Sequence, residues 1–346
     1  MRGRRVTHDA STFVLVRVIT QDGLEGYGEI TATAAWSGED EFTARHFVRD
    51  VFAPLLLGRP LEAIPALMRE LDRVVRGNAF TKAGVNTALW DALARSRGRS
   101  VCELLGGPYR HEVPVKISLS GDGEELEAGF ALAQALGFRA FKVKVGKEPA
   151  ADLARVARAR ELAGAAAFIG VDANGGWSRD EALSVVPRLA DAHVAFVEQP
   201  VDAADLRAMR DVRELGVTVV ADECVYTGED IARVASAAAA DVVSLYVGKS
   251  AGLERAVASA RLATSLGIGV VIGANGEMGL GAAAQLHVAC ACEDLAAIPC
   301  GITGHHFYEE DPTLLRPLDI DGRRAALPAG PGLGVELSDG VRRTFS

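Results

Sequence analysis

The chain lacks the features that mark several large classes of protein. It has only five cysteines in 346 residues, and they show no paired spacing of the disulfide or zinc type, which is typical of a protein kept in a reducing cytoplasm. No apolar run reaches the ~18 residues that span a bilayer. The net charge is −9 and the basic residues are scattered along the chain. We therefore expect a cytoplasmic protein that binds neither nucleic acid nor membranes.

The larger part of the chain has a strand-then-helix rhythm. Hydrophobic residues make up 49% of the sequence, which is enough for a large core. From about residue 114, strand-like and helix-like runs alternate, and this alternation predicts a parallel α/β sheet. Polar residues that recur at the strand ends favour a closed barrel over an open sheet. The predicted strands are 115–119, 140–145, 168–172, 195–198, 218–221, 242–246, 269–273 and 297–301.

The first ~110 residues follow a different pattern. Two alternating runs, 13–20 and 24–30, flank Asp22-Gly23, which predicts a β-hairpin with a type I′ turn. A helix is predicted over 81–105, where one apolar stripe ends at Gly106-Gly107-Pro108.

The two patterns predict two domains. Residues 306–346 are rich in Gly and Pro and lack the barrel rhythm, so we expect them to return to the first region. The prediction is an α+β capping domain over residues 1–110, completed by 306–346, and a barrel over residues 111–305.

Two lysines occupy alternate positions of one predicted strand. In the run 141–145, Lys142 and Lys144 point to one face of the strand while the apolar side chains point to the other. Placing two ammonium groups side by side in a protein interior is costly unless anions compensate. A solvated edge strand with two surface lysines is the alternative, but acidic residues further along the chain favour a buried, functional pair.

Three later strands each end in an acid. Asp172, Glu198 and Asp222 are separated by 198 − 172 = 26 and 222 − 198 = 24 residues, and capping boxes that begin at Ser178 and Thr227 predict the helices between them. A strand, a helix and two loops take about 25 to 30 residues, so the carboxylates are expected at the C-terminal tips of consecutive parallel strands. Oxygen ligands that surround one hard cation favour Mg²⁺.

In these motifs the chain resembles the enolase superfamily and, within it, the muconate lactonizing enzyme subgroup. The resemblance implies a modified TIM barrel, (β/α)₇β, under an α+β capping domain. It also implies Mg²⁺, or alternatively Mn²⁺, on Asp172, Glu198 and Asp222. The motifs that carry it are Gly26-Tyr27-Gly28-Glu29, Ala88-Leu89-Trp90-Asp91, Leu104-Leu105-Gly106-Gly107, Lys142-Val143-Lys144, Asp172-Ala173-Asn174, Val197-Glu198-Gln199-Pro200, Ala221-Asp222-Glu223 and Pro331-Gly332-Leu333-Gly334.

The same resemblance implies roles for individual residues. Lys144 corresponds to the acid/base, and Lys142 to a group that binds the substrate carboxylate and tunes its neighbour. Asn174 would position groups, Glu223 would support them from behind, and Glu277 matches a strand-seven acid that orients groups. Ordinary loop hydrogen bonding is the alternative for Asn174 and Glu277.

One departure from the subgroup bears on the reaction. Members usually carry a second catalytic lysine at the end of strand six, where this chain has Tyr246, with Lys249 three residues later. A phenol is a poor base at neutral pH but can donate a proton or hydrogen bond. One-face chemistry through an enediolate, either cycloisomerisation or syn-dehydration, is therefore the leading hypothesis. A racemase or epimerase that uses Tyr246 as its second acid/base is the alternative, as is a non-catalytic metal-binding scaffold; Tyr246 could also simply pack in the pocket wall.

Substrate selection is expected to depend on the loop Thr31–Glu39, where Trp36 could cover an apolar or cationic group. The alternative is that Trp36 only fastens this loop to the barrel. The family normally opens with a further strand and a mobile loop, and the chain is expected to begin inside that loop, at residues 1–8. The resemblance also implies a small-molecule carboxylate substrate and a homo-oligomer, from dimer to octamer.

Overall fold

The structure is a computed structural model that describes residues 11–308 and 311–345. The expectation about residues 1–8 lies outside the described residues. The strands are β1 (Val14–Ile19), β2 (Glu25–Ile30), β3 (Glu112–Pro114), β4 (Ile117–Leu119), β5 (Ala140–Lys144), β6 (Phe168–Asp172), β7 (Val197–Glu198), β8 (Val219–Ala221), β9 (Val242–Leu245), β10 (Gly269–Ile272) and β11 (Arg324–Ala326).

Helices fill most of the remaining chain. The α-helices are α1 (Ala34–Ser37), α2 (Glu41–His46), α3 (Ala53–Leu56), α4 (Ile64–Val74), α5 (Ala79–Ser96), α6 (Val101–Leu104), α7 (Glu124–Ala135), α8 (Pro149–Ala163), α9 (Arg179–Leu189), α10 (Leu206–Arg213), α11 (Gly228–Ser236), α12 (Leu253–Ser265), α13 (Gly279–Ala291) and α14 (Asp339–Thr344). A π-helix covers Phe47–Phe52, and 3₁₀ turns cover Leu61–Ala63, Ala190–Ala192 and Gly304–Phe307.

The barrel sheet contains β4 to β10, all parallel and in chain order. The predicted eighth strand, 297–301, is not a regular strand. Cys300 nevertheless closes the ring, because its carbonyl accepts from the Lys116 N–H at 2.9 Å while the Gly301 N–H donates to Ile272 at the end of β10 at 2.8 Å. The fold class expected from the sequence, a modified TIM barrel with a capping region, is confirmed.

Two details of the first region differ from the prediction. The hairpin of β1 and β2 is present, but only Gly23 in its turn has a positive φ, 84°, whereas a type I′ turn needs two such residues in succession. The helix predicted over 81–105 is two helices, α5 and α6. Gly98, with φ of 61°, ends the first, and Ser100 begins the second by a capping box with Glu103.

A second hydrophobic core lies between the hairpin and helices α4 and α5, separate from the barrel core, and includes Val16, Ile30, Met68 and Leu89. Helix α5 lies directly against β2, because glycine in the strand allows the backbones to meet. A Cβ on Gly28 would lie 2.0 Å from the carbonyl oxygen of Gly84.

Buried carboxylates join this region to the rest of the chain by accepting from backbone N–H groups. Glu29 accepts from Met278 at 2.8 Å and Gly281 at 2.9 Å, at the start of α13. Asp91 accepts from Tyr27 at 2.9 Å and Leu333 at 2.7 Å. Glu39 is a further buried carboxylate that accepts from backbone N–H groups, in its case those of the first turn of α5, within the first region. We call Glu29, Asp91 and Glu39 the seam acids.

Strand β11 pairs antiparallel with β3, so part of the C-terminal segment lies beside the start of the barrel. The division into domains at 110 and 305 stays a prediction. Within 11–308 and 311–345, no single helix has both the length and the apolar character needed to cross a bilayer; the pair Glu41–Leu56 and Leu61–Val74, bent by 113°, meets the criterion on length and composition alone.

Candidate active site

Consecutive barrel strands bring the predicted acids and lysines to one end of the barrel. Lys144 is the last residue of β5 and pairs in register with Asp172, the last residue of β6, which in turn pairs with Glu198 at the end of β7. Asp222 directly follows β8. Because parallel strands point the same way, these side chains surround one mouth, which we call the barrel mouth.

The lysine pair is compensated by the acids. Lys142 Nζ lies 2.6 Å from Glu198 Oε1 and 3.0 Å from Asp172 Oδ2, and Lys144 Nζ lies 2.8 Å from the same Asp172 oxygen. Burial would lower the pKa of Lys142, but Asp172, Glu198 and Asp222 outweigh it and hold that pKa above its usual value. Burial would likewise raise the pKa of Asp172, but Lys142 and Lys144 keep it well below its usual range.

Lys144 is also part of a hydrogen-bonded chain. Its Nζ donates to Asn174 Oδ1 at 2.8 Å, and Asn174 Nδ2 donates to Glu223 Oε1 at 2.9 Å. Burial, together with the charges of Asp222 and Asp172, raises the pKa of Glu223 to about 8. The other oxygen of Glu223 is buried and has no hydrogen-bond partner among the residues that the structure describes. Asn174 therefore holds the Lys144 amine on one side and a weakly acidic carboxyl on the other.

Tyr246 directly follows β9, which is the sixth of the predicted barrel strands. The amine of Lys249, three residues further on, is fully hydrogen-bonded. Lys249 Nζ lies 2.5 Å from Asp222 Oδ1, 2.7 Å from the Asp222 carbonyl and 2.9 Å from the Ser244 carbonyl. Its three N–H groups therefore all have acceptors, and its side chain is 1% exposed. The ammonium lies 4.4 Å from the centre of the Tyr246 ring. Burial raises the pKa of Tyr246 well above that of an ordinary phenol.

Trp36, in the loop predicted to select the substrate, lies near Lys144. Its ring centre is 5.8 Å from Lys144 Nζ, within the range of a cation–π contact. Its backbone carbonyl accepts a hydrogen bond from the Tyr226 hydroxyl at 3.3 Å, which ties the loop to the segment after β8. Trp36 is 38% exposed, so its indole also faces outward from the barrel mouth.

Glu277 lies apart from the lysine–acid cluster, at a small cavity of about 20 Å³ that Glu29, Thr31 and Gln285 also line. It accepts from Gln285 Nε2 at 3.0 Å and from the Asn275 N–H at 3.1 Å. Burial raises the pKa of Glu277 to about 7.

A further buried lysine, Lys116, lies in the barrel and is not among the predicted site residues. Lys116 is 3% exposed, donates to the Pro299 carbonyl and lies 5.6 Å from the centre of the Phe196 ring. Burial, followed by the charge of Lys142, lowers its pKa to about 8. Ser118 pairs with Lys142 in register, so Lys116 lies one step deeper on the same inner face. The signal was available, since Lys116 stands in an apolar strand as Lys142 does.

The donor chemistry at the barrel mouth fits a hard divalent cation, because Asp172, Glu198 and Asp222 are buried carboxylates from adjacent strands. Among the residues that the structure describes, however, no three His, Cys, Asp or Glu side chains are gathered closely enough to enclose an ion. Ammonium groups of Lys142 and Lys249 hold the carboxylate oxygens instead.

A capped α/β barrel with acids and lysines at its C-terminal mouth defines a class of enzymes, and comparison identifies the family. The model of the mandelate racemase/muconate lactonizing enzyme N-terminal domain matches residues 4–106, and that of the enolase C-terminal domain-like family matches residues 126–341. The chain belongs to the enolase superfamily, in its muconate lactonizing enzyme subgroup, and is an isomerase or lyase of that superfamily.

Individual relatives match almost the whole chain. Muconate cycloisomerase 1 of Rhodococcus opacus is 35% identical, over 97% of this chain and 91% of its own. L-Ala-D/L-Glu epimerase of Bacillus subtilis is 29% identical, over 93% and 88%. The crystal structure of muconate lactonizing enzyme from Pseudomonas fluorescens complexed with muconolactone superposes with a TM-score of 0.93 at 31% identity, covering 99% of this chain and 94% of that one. Because these relatives are enzymes, the scaffold hypothesis loses its basis.

Proposed function

We propose that the protein moves a proton to or from the carbon next to a substrate carboxylate, on one face only, as a cycloisomerase or syn-dehydratase of the muconate cycloisomerase type. The observation that carries this proposal is the asymmetry of the barrel mouth. Lys144 and Lys142 are 12% exposed and reach the mouth from β5, whereas the strand-six side offers the phenol of Tyr246. The similarity to muconate cycloisomerases over 97% of the chain supports it.

Lys144 is the proposed acid/base. Removing a proton next to a carboxylate leaves an enediolate, so the base must be held close to the carbon and the new charge must be stabilised. Asn174 and Asp172 hold the Lys144 amine from two sides, and Lys142 places a second positive charge beside it. Trp36 covers the amine and limits the approach of water.

Asp172, Glu198 and Asp222 are the proposed Mg²⁺ ligands, with Mn²⁺ as an alternative ion; when bound, the cation would supply positive charge for the substrate carboxylate. Lys249 orients Asp222 by holding both its carboxylate and its carbonyl. Glu223 keeps Asn174 in place, and Glu277 orients groups on the strand-seven side. The substrate is proposed to be a small carboxylate.

A racemase or epimerase is the second candidate, because the Bacillus subtilis relative is an epimerase. In this chain Tyr246 would have to exchange the proton on the second face. Its pKa, raised by burial, makes the phenolate hard to form near neutral pH.

Turnover in D₂O followed by NMR separates the two candidates. Muconates, acid sugars and dipeptides would be incubated with the Mg²⁺-loaded protein. A cycloisomerase should place one deuterium at a single configuration of the product's α-carbon, whereas a syn-dehydratase removes the α-proton, so that any deuterium in recovered substrate should keep the original configuration. Deuterium in both configurations of recovered substrate would establish two-face exchange and reject the one-face mechanism.

A further inference from the structure

Helix α8 carries a buried acid and a buried arginine that take no part in the chemistry proposed above. Asp152 is fully buried and Arg155 is 5% exposed. The two are paired, since Arg155 Nη1 lies 2.7 Å from Asp152 Oδ1. Such a pair is costly to bury unless further hydrogen bonds satisfy both groups. Their remaining partners are in the loops that follow three successive barrel strands.

Asp152 joins the loop after β5 to the loop after β6. Its Oδ2 accepts from the Gly146 N–H at 2.9 Å and the Lys147 N–H at 3.0 Å, directly beyond Lys144. The same oxygen accepts from Trp177 Nε1 at 2.9 Å, three residues beyond Asn174. One carboxylate oxygen therefore holds both the loop that follows Lys144 and the loop that carries Asn174.

Arg155 joins the loop after β4 to the end of β5. Its Nη1 donates to the carbonyl of Lys144 itself at 3.1 Å. Its Nε donates to the Gly121 carbonyl at 3.1 Å and to Asp122 Oδ1 at 2.7 Å. A guanidinium can serve several acceptors because its donors are fixed in a plane, whereas an ammonium would leave some of these carbonyls without a partner.

The loops that the pair joins are in direct backbone contact. A Cβ on Gly146, whose φ is 91°, would lie 2.3 Å from the Ala173 carbonyl oxygen, and one on Gly176 would lie 2.2 Å from the Gly146 carbonyl oxygen. Such close contact transmits a shift of one loop to the other, because packed backbone has no room to absorb it. A displacement at Gly146 would thus move Lys144 relative to Asn174.

We propose that Asp152 and Arg155 act as a positioning pair that sets the Lys144 amine against Asn174 and the substrate carbon. The proposal rests on the role proposed for Lys144. The Val145 N–H still donates to the Asp172 carbonyl at 2.9 Å, but the next two N–H groups, of Gly146 and Lys147, are held by Asp152, and the Lys144 carbonyl is held by Arg155. Rate is sensitive to this geometry, since a misplacement of about 1 Å can cost roughly 100-fold.

The test compares two buried acids with similar partners. Asp91 is a suitable comparison because, like Asp152, it is fully buried and accepts from two backbone N–H groups and an arginine. In either position, replacement of Asp by Asn turns an NH₂ group toward N–H donors. Only Asp152 touches the loop beyond Lys144. We expect Asp152→Asn to lower kcat by about 10- to 100-fold with KM changed less than about 3-fold, while Asp91→Asn leaves the kcat of folded protein unchanged.

Amide hydrogen exchange supplies a readout that does not depend on turnover. Exchange at Gly146 and Lys147 should accelerate in Asp152→Asn and stay at the wild-type rate in Asp91→Asn. Trp177→Phe removes a single donor and serves if Asp152→Asn does not fold, with a smaller effect expected in the same direction.

Equal kcat losses in the two Asn variants, or unchanged exchange at Gly146 and Lys147, would overturn the positioning role. Failure of the proposed function looks different. In that case the wild-type protein turns over none of the carboxylates, but hydrogen exchange still tests whether Asp152 holds the Gly146 and Lys147 N–H groups.

Discussion

Carboxylates are buried in two regions of this molecule, and their partners differ. At the barrel mouth, Asp172 and Glu198 are paired with lysine ammonium groups. The seam acids accept chiefly from backbone N–H groups; Glu39, for example, accepts from the Phe80 N–H at 3.1 Å and the Thr81 N–H at 2.8 Å. Asp91 is also paired with Arg95 at 3.0 Å. Backbone donors belong to the main chain and cannot leave, whereas an ammonium at the end of a flexible side chain can be displaced by another cation or by substrate.

The difference separates acids that hold the fold from acids that can do chemistry. Fixed dipoles compensate a carboxylate without net positive charge, so burial still dominates at Glu29 and raises its pKa to about 7. Whole charges compensate Asp172 so strongly that its pKa stays well below the usual range despite burial. Proximity to two full positive charges thus keeps Asp172 ionised, whereas at Glu198 burial, with the charges of Asp172 and Asp222, outweighs Lys142 and raises the pKa.

The largest effect is expected from removing the proposed base. Lys144→Ala should lower kcat by about 10²- to 10⁴-fold, the range for one positioned acid/base group. Steady-state turnover of whichever carboxylate the wild type accepts measures it. Lys147→Ala, three residues along the same loop, is the matched control and should change kcat little. Similar losses in both variants would show that the loop, and not the Lys144 amine, is responsible.

The free energy of unfolding, measured over a range of pH, tests the raised pKa of the seam acid Glu29. The folded-state pKa of Glu29 is raised to about 7, so its contribution to stability is complete below about pH 4.3 and is lost as the pH rises through 7. The loss is roughly 3 kcal/mol, and Glu277, also at about 7, adds to it in the same direction. Urea unfolding at pH 5 and pH 8 measures it.

Glu29→Gln should flatten this pH dependence without abolishing it, because Glu277 and Glu223, whose pKa values are also raised, still titrate. The control is Glu62→Gln, whose side chain is 66% exposed, and it should keep the wild-type slope. A Glu29→Gln variant with the same pH dependence as the wild type would contradict the raised pKa of Glu29.

The smallest expected effect is that of the cation on stability. Mg²⁺ at about 100 times its Kd should raise the free energy of unfolding by about 2.7 kcal/mol, as urea unfolding with and without the ion would show. Glu198→Gln should lose most of this increment, and Glu39→Gln should keep it, because Glu39 accepts only from N–H and O–H donors. If both variants kept the increment in full, the barrel mouth would not be where the ion binds.

Local signals in the chain predicted much of the fold. The capping boxes at Ser178 and Thr227 are present as expected, and the strands end where the acids at 172 and 198 stand. The type of the turn at Asp22-Gly23 was predicted wrongly and the break in the helix at Gly98 was not predicted, because both depend on which single residue takes a left-handed conformation.

Side-chain pairing could not be predicted from spacing. The sequence placed Lys249 near the end of strand six, but its reach to the Asp222 carboxylate depends on how the loop after β9 folds back over β8. The pairing of Asp152 and Arg155 could not be predicted for a similar reason, since both meet partners in separate loops. Lys116 differs, because its place in an apolar strand is a local signal.

By itself, then, the sequence determined that this chain is a capped α/β barrel with acids and lysines at consecutive strand ends, because strand periodicity and the length of a βα unit are local properties. Only the tertiary structure decided which acid meets an ammonium, which meets a backbone N–H, and how deeply each lysine is buried. Those pairings arise where distant segments pack together, and the free energy of a buried charge depends on all its neighbours at once.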